Sequence, residues 1–206
     1  MKKILLTIFY LVFFSSKSVA LVEIDITRGN LDPLPIAVSP LHVASGSKDV
    51  KQGEKIIKNI GDAISQVIEV NFRRSGLFNP LKKDSFVQKP DIAHAKPRFE
   101  DWRLIKAQAL VTGKVKVTDD KLRVEFRLWD VIAAKEMVAL AFSTTPDNWR
   151  RVAHIISDKI YQRLTGEEGY FDTRIVYVSE TGLKTQRYKK LAIMDQDGAS
   201  VKYLTL

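Results

Sequence analysis

His42, His94 and His154 are the residues best suited by type to proton transfer or metal binding. Their spacing serves neither. None forms a His-x-x-x-His or Glu-x-x-His pair with a second ligand. His154 falls beside the apolar stripe of a helical segment, which reads as a packed, hydrogen-bonded imidazole rather than a base. His42 and His94 fall in segments that read as loops. Asp195-Gln196-Asp197-Gly198 resembles the opening of a calcium loop, but the twelfth position from Asp195 is Leu206 and not a glutamate. It reads as a tight turn, because Asp-Gly reaches left-handed conformations cheaply. Asp119–Asp120 and Glu167–Glu168 read as solvated turn acids, not as a paired acid and base. There is no Gly-x-Ser-x-Gly elbow and no phosphate loop. The chain has no cysteine, which excludes thiol chemistry, cysteine–zinc sites, iron–sulfur clusters and disulfides. The expectation is a non-catalytic chain with no cofactor and no metal.

The 206 residues are 45% hydrophobic, enough for one or two domains with a real core. The net charge is +9. Setting aside Lys2, Lys3 and Lys17 leaves 30 basic residues against 24 acidic ones. These are interspersed, as in Lys82-Lys83-Asp84, and not gathered on one element with interleaved aromatics, so a nucleic-acid partner is not expected.

Residues 1–20 have the layout of a secretory signal. Met1-Lys2-Lys3 is cationic, Ile4 to Phe14 is apolar, and Ser18 and Ala20 supply the small residues before a cleavage site. The apolar run is too short to span a hydrocarbon core of about 30 Å as a helix. Cleavage between Ala20 and Leu21 is expected, with export to follow.

The remaining chain reads as alternating elements. Val22, Ile24 and Ile26 alternate with Glu23, Asp25 and Thr27, the period of a strand with one apolar face. Such a strand either pairs in its own sheet, which composition favours, or adds to a partner's sheet edge. Residues 34–41 read as a short buried strand bounded by Pro35 and Pro40, and residues 44–53 as a loop or ragged helix start. From Ile56 to Phe72 apolar residues recur at three and four, an amphipathic helix weakened at Gly61, which places its start near there, and closed by Gly76. Residues 79–98 read as a connection, and 100–108 as a short helix with Trp102 facing inward. Segments 110–117, 122–129 and 135–145 form an antiparallel meander with one buried face. Asp147 is the expected cap of a helix carrying Trp149, Val152, Ile156, Ile160 and Leu164, closed by Gly166. Trp129, at a strand end, has no assigned place. The fold class is therefore α/β (α+β), with two main helices on one face of a mixed sheet.

After Phe171 the pattern becomes three short strands at 174–179, 190–194 and 201–206, the first two separated by a polar hairpin region. That is close to one blade of a propeller, which needs about four to eight blades to close. The expectation is a fragment or truncated product, the alternative being a small hairpin packed back on the preceding domain.

Phe126-Arg127-Leu128-Trp129-Asp130-Val131 is followed in order by Arg150-Arg151-Val152-Ala153-His154-Ile155-Ile156-Ser157-Asp158, Leu164-Thr165-Gly166-Glu167 and Phe171-Asp172-Thr173-Arg174-Ile175. Met194-Asp195-Gln196-Asp197-Gly198 completes the set, with Leu110-Val111-Thr112-Gly113 and Phe78-Asn79-Pro80 before it. The ordered set resembles the TolB family of the Tol–Pal system. The resemblance implies a signal peptide at 1–20, an α/β domain at 21–170 and, at 171–206, the first blade of a six-bladed β-propeller. It implies a non-enzymatic periplasmic adaptor between the inner-membrane protein TolA and the outer-membrane lipoprotein Pal. The implied roles are outer-membrane integrity, invagination during division, and protein or colicin import. The segment matching the TolA-engaging N-terminus is Leu21, Val22, Glu23, Ile24, Asp25, Ile26 and Thr27. The Pal surface falls mostly outside this sequence. Residues 42–59 are longer and richer in lysine than the family pattern and receive no role from it. Two other classes stay open on the residues: a periplasmic hydrolase whose catalytic propeller part is missing, and a basic module binding acidic lipid headgroups.

Overall fold

The computed structural model describes residues 32–205. Leu34–Val38 (β1) is apolar without alternation because both its faces are covered. It lies between two parallel neighbours, Phe78–Pro80 (β5) on one side and Ala109–Val117 (β6) on the other. Pro35 sits inside the strand near its start, and its carbonyl accepts from Gln108 N at 2.9 Å. His42–Val43 (β2) makes a second short parallel pairing with β6.

Residues 50–57 differ from the expected loop. Val50–Gln52 (β3) and Lys55–Ile57 (β4) form an antiparallel hairpin turned at Gly53, whose φ is 59°. Ile56 and Ile57 thus belong to a strand, and the helix begins at Ile60. This helix, Ile60–Ser75 (α1), starts where the Asn59 side chain accepts from Asp62 N at 3.1 Å. It ends at Gly76, at φ 73°. Gly61 is required by proximity: a Cβ there would overlap the backbone carbonyl oxygen of Leu41.

The connection from 81 to 108 carries a 3-10 turn at Lys83–Ser85 and two short helices, Pro90–Ala93 (α2) and Phe99–Leu104 (α3). The expected helix at 100–108 stops earlier, and Lys106 follows in the left-handed region at φ 62°. β6, Leu122–Asp130 (β7) and Lys135–Thr144 (β8) form the expected meander, giving the order β5-β1-β6-β7-β8. Trp129 now has a place: its indole N–H donates to Thr112 Oγ1 at 2.9 Å, and its ring meets Phe99 edge-on.

Trp149–Thr165 (α4) follows a 3-10 turn at Pro146–Asn148. Asp147 lies within that turn, and the cap position is Asn148, which makes no side-chain capping bond; the assignment of Asp147 as cap is corrected. On α1, Ile60, Ile64, Ile68 and Phe72 recur every fourth residue, as do Val152, Ile156, Ile160 and Leu164 on α4. These ridges interlock over one sheet face in a single core. Each such side chain contributes about 1.5–3 kcal/mol by leaving water. The opposite sheet face is also covered at one end, where α2 and α3 bring Ala93 and Trp102 against Ala37, Leu110 and Val131.

The last three strands form a separate sheet, with the middle one in sequence, Gln186–Asp195, at its centre. Arg174–Leu183 (β9) and Gln186–Asp195 (β10) pair in unbroken register, so the expected polar hairpin region is itself strand. Lys202–Tyr203 (β11) is shorter than the expected 201–206. This sheet is open. Among the described residues, no helix is long and apolar enough to cross a membrane.

Candidate functional site

The expected partner strand, Leu21 to Thr27, and the cleavage pair Ala20 and Leu21 lie outside the described residues. The remaining candidates divide into two places.

His42 and His94 are brought together, which their sequence separation does not reveal. Their rings stack with centroids 4.6 Å apart and planes 10° from parallel. His42 belongs to β2 and His94 caps α2, so neither is a simple loop residue. Partial burial lowers the proton affinity of His42, and the charges of His94 and Lys114 lower it further, against a smaller opposing effect of Asp91. His42 is therefore held toward its neutral form.

The second place is built from α1, α4 and the turn after β10. That turn is the predicted Asp-Gly turn: Gly198 has φ 85° and donates to Asp195 O at 2.9 Å. It is docked, not solvated. Arg150 pairs with Asp197 Oδ2, and its Nε lies 3.9 Å from Asp195 Oδ2. His154 is 2% exposed, and its Nε2 lies 3.8 Å from the same Asp197 oxygen. Asn71 on α1 accepts from Gln196 Nε2 at 3.1 Å, and Arg74 donates to Gln196 O at 3.0 Å. Further along α4, Asp158 accepts from the backbone of Phe171 at 2.7 Å and of Asp172 at 3.0 Å. Burial raises the Asp158 carboxyl above its ordinary range, and these two backbone donors pull it back. The expectation of a packed, hydrogen-bonded His154 holds, since Asn71 Nδ2 contacts its Nδ1 at 3.0 Å. The company of Asp195 and Asp197 was hidden, because 41 residues separate His154 from Asp195 and no local spacing encodes the contact.

The chemistry offered here is attachment. Partly buried opposite charges and side-chain amide hydrogen bonds hold one sheet to the helices of another.

The sequence from 22 to 137 matches the TolB amino-terminal domain family. The chain belongs to that family. It is 68% identical over 192 residues to the Tol-Pal system protein TolB of Pelagibacter ubique (strain HTCC1062), covering 92% of this chain. The crystal structure of TolB from Acinetobacter baumannii superposes with a TM-score of 0.66 at 25% identity, over 84% of this chain. The chain spans 43% of the length of the Pelagibacter TolB and 39% of the Acinetobacter one. The resemblance to TolB read from the residues is thereby established, as is the mixed α/β architecture that it implied.

Proposed function

We propose that this chain supplies the N-terminal domain and first propeller blade of a non-enzymatic periplasmic adaptor, exported by a signal peptide cleaved after Ala20. In this reading residues 21–170 are the adaptor domain and residues 171–206 the blade. The adaptor joins a TolA-like inner-membrane protein to a Pal-like outer-membrane lipoprotein and serves outer-membrane integrity and constriction during division. The observation that carries the reading is 68% identity over 192 residues to a protein of the Tol–Pal system. The alternating segment Leu21–Thr27 is the proposed TolA contact. An extended segment gains main-chain hydrogen bonds on a sheet edge, and Val22, Ile24 and Ile26 would fill the pockets on one face, offset by the entropy of ordering.

The test is capture of a TolA-like protein by the chain starting at Leu21, compared with the same chain lacking Leu21–Thr27. Capture is expected to vanish with the deletion while circular dichroism and the unfolding midpoint stay the same. Equal capture by both forms defeats the strand-addition reading.

A further inference from the structure

Along the docked turn, hydrogen-bond partners fix where the protons sit. Asn71 Oδ1 accepts from Gln196 Nε2 at 3.1 Å, so the Asn71 amide nitrogen faces away from the turn. That nitrogen donates to Ser157 Oγ at 2.9 Å, whose hydroxyl is committed to Ala153 O at 2.9 Å. The same nitrogen meets His154 Nδ1 at 3.0 Å. Nδ1 must therefore be the acceptor, and the neutral ring carries its hydrogen on Nε2. Among the described residues Nε2 has no hydrogen-bond partner.

His154, Asp195 and Asp197 place metal-type ligand atoms within 4.8 Å of one another. The group does not suit a cation. The nitrogen turned toward the carboxylates bears the hydrogen, and Arg150 already supplies the countercharge to both acids.

We propose that His154 is a proton-operated latch: a proton on Nδ1 turns the Asn71 amide over and frees the 195–198 turn from α1 and α4. The neutral ring has only Nδ1 left to protonate, and there the new N–H points at an amide nitrogen. Rotating the amide relieves that clash but withdraws Oδ1 from Gln196 and obliges Ser157 to leave Ala153 O. The cation formed is also buried beside Arg150. α1 meets the ring through the neutral Asn71, and the charged groups acting on it come from α4 and the segments after it. Arg150 and Asp158 stand on α4, Asp172 on the connection after it, and Asp195 and Asp197 at the end of β10 and its turn. Burial is the largest influence and lowers proton affinity; Asp197 raises it, Arg150 lowers it, and Asp195 and Asp172 raise it, with the balance below the ordinary histidine value. The docked state thus binds the proton less readily than the released one. Docking is complete above the ordinary histidine value and weakens as pH falls through it.

The absence of cysteine makes the test clean. Spin labels on Lys82→Cys and Lys184→Cys in the full chain report the distance between the two sheets. A single distance is expected at neutral pH. Between about pH 7.5 and 5 a released population should grow by up to about tenfold per unit. His154→Gln, which cannot titrate, should stay docked throughout. An unchanged distance in the parent chain, or the same transition in His154→Gln, overturns the proposal, as does release at constant pH on adding zinc ion. Should His154→Gln fail to fold, nitrogen NMR of the unsubstituted ring decides. A neutral Nε2–H tautomer titrating with the release supports the latch, and an Nδ1–H tautomer removes it.

Discussion

Lys83 holds two carboxylates at once, Asp62 Oδ1 at 2.6 Å and Glu69 Oε1 at 3.2 Å, and so ties the turn after β5 to α1. Burial raises the Glu69 carboxyl, and the charge of Lys83 pulls it back. The folded chain therefore keeps a proton on Glu69 at pH values where the unfolded chain has released it. Stability then falls as pH rises from the ordinary glutamate value through the raised one. Lys83→Met keeps the stem but deletes the countercharge, so this loss should steepen and extend to higher pH. Urea midpoints across that range provide the measurement, and parallel profiles for the two proteins would count against the account. Gly61 gives a second prediction. Alanine there gains about 1 kcal/mol of helix propensity. Its methyl, however, meets a backbone carbonyl that cannot rotate away. Ordinary overpacking costs about 1–3 kcal/mol, and an overlap with rigid backbone lies at or above the top of that range, so Gly61→Ala is expected to be destabilising in urea unfolding, where other exchanges of helical glycine stabilise. The sequence presents Gly61 as a weak point in a helix. Only the close approach of Leu41, twenty residues earlier, explains it.

Among the elements, those whose periodicity outlasts a few residues were legible. The fourfold recurrence on α1 and α4 and the alternation on β7 follow from burial of one face, which is what the pattern encodes. The hairpin at 50–57 was not legible. Its strands have three residues each, and the lysines that suggest a loop are simply its exposed positions. The extent of β9 and β10 was missed for a related reason, since nearly every residue from 180 to 190 is exposed and carries no alternation of burial. The docked turn was legible as a turn but not as a contact, because Asp197 and Gln196 answer to residues on α1 and α4 far away in the chain. The hairpin supports a paired prediction. Val50 is 1% exposed and belongs to the main core, whereas Ile56 is 54% exposed. Val50→Ala is expected to cost about 2 kcal/mol through a cavity. Ile56→Thr should stay within about 0.5 kcal/mol of the parent. Equal effects in thermal unfolding would mean that the hairpin does not use Val50 as its anchor.

At the scale of the whole molecule, the two sheets meet water differently. The first is covered by α1 and α4 on one face and partly by α2 and α3 on the other. The second holds its edge strand β9 open, with Val176 at 57% and Val178 at 58% exposure on one face, beside Leu191 on β10 at 38%. Side chains on one face of adjacent antiparallel strands form a continuous surface, and Leu191 lies opposite Val178 in the register. An apolar patch on a strand at a sheet edge is the kind of surface that binds hydrophobic dyes and invites strand pairing. The chain is therefore expected to enhance the fluorescence of an anilinonaphthalene dye under native conditions. Val176→Lys combined with Val178→Lys should abolish most of that signal. The same pair should leave the unfolding midpoint of the helix-covered first sheet in place, because neither residue contributes to its core. Dye binding that survives the double substitution would place the accessible apolar surface elsewhere, with the exposed Leu104, at 79%, and Leu183, at 76%, next in line.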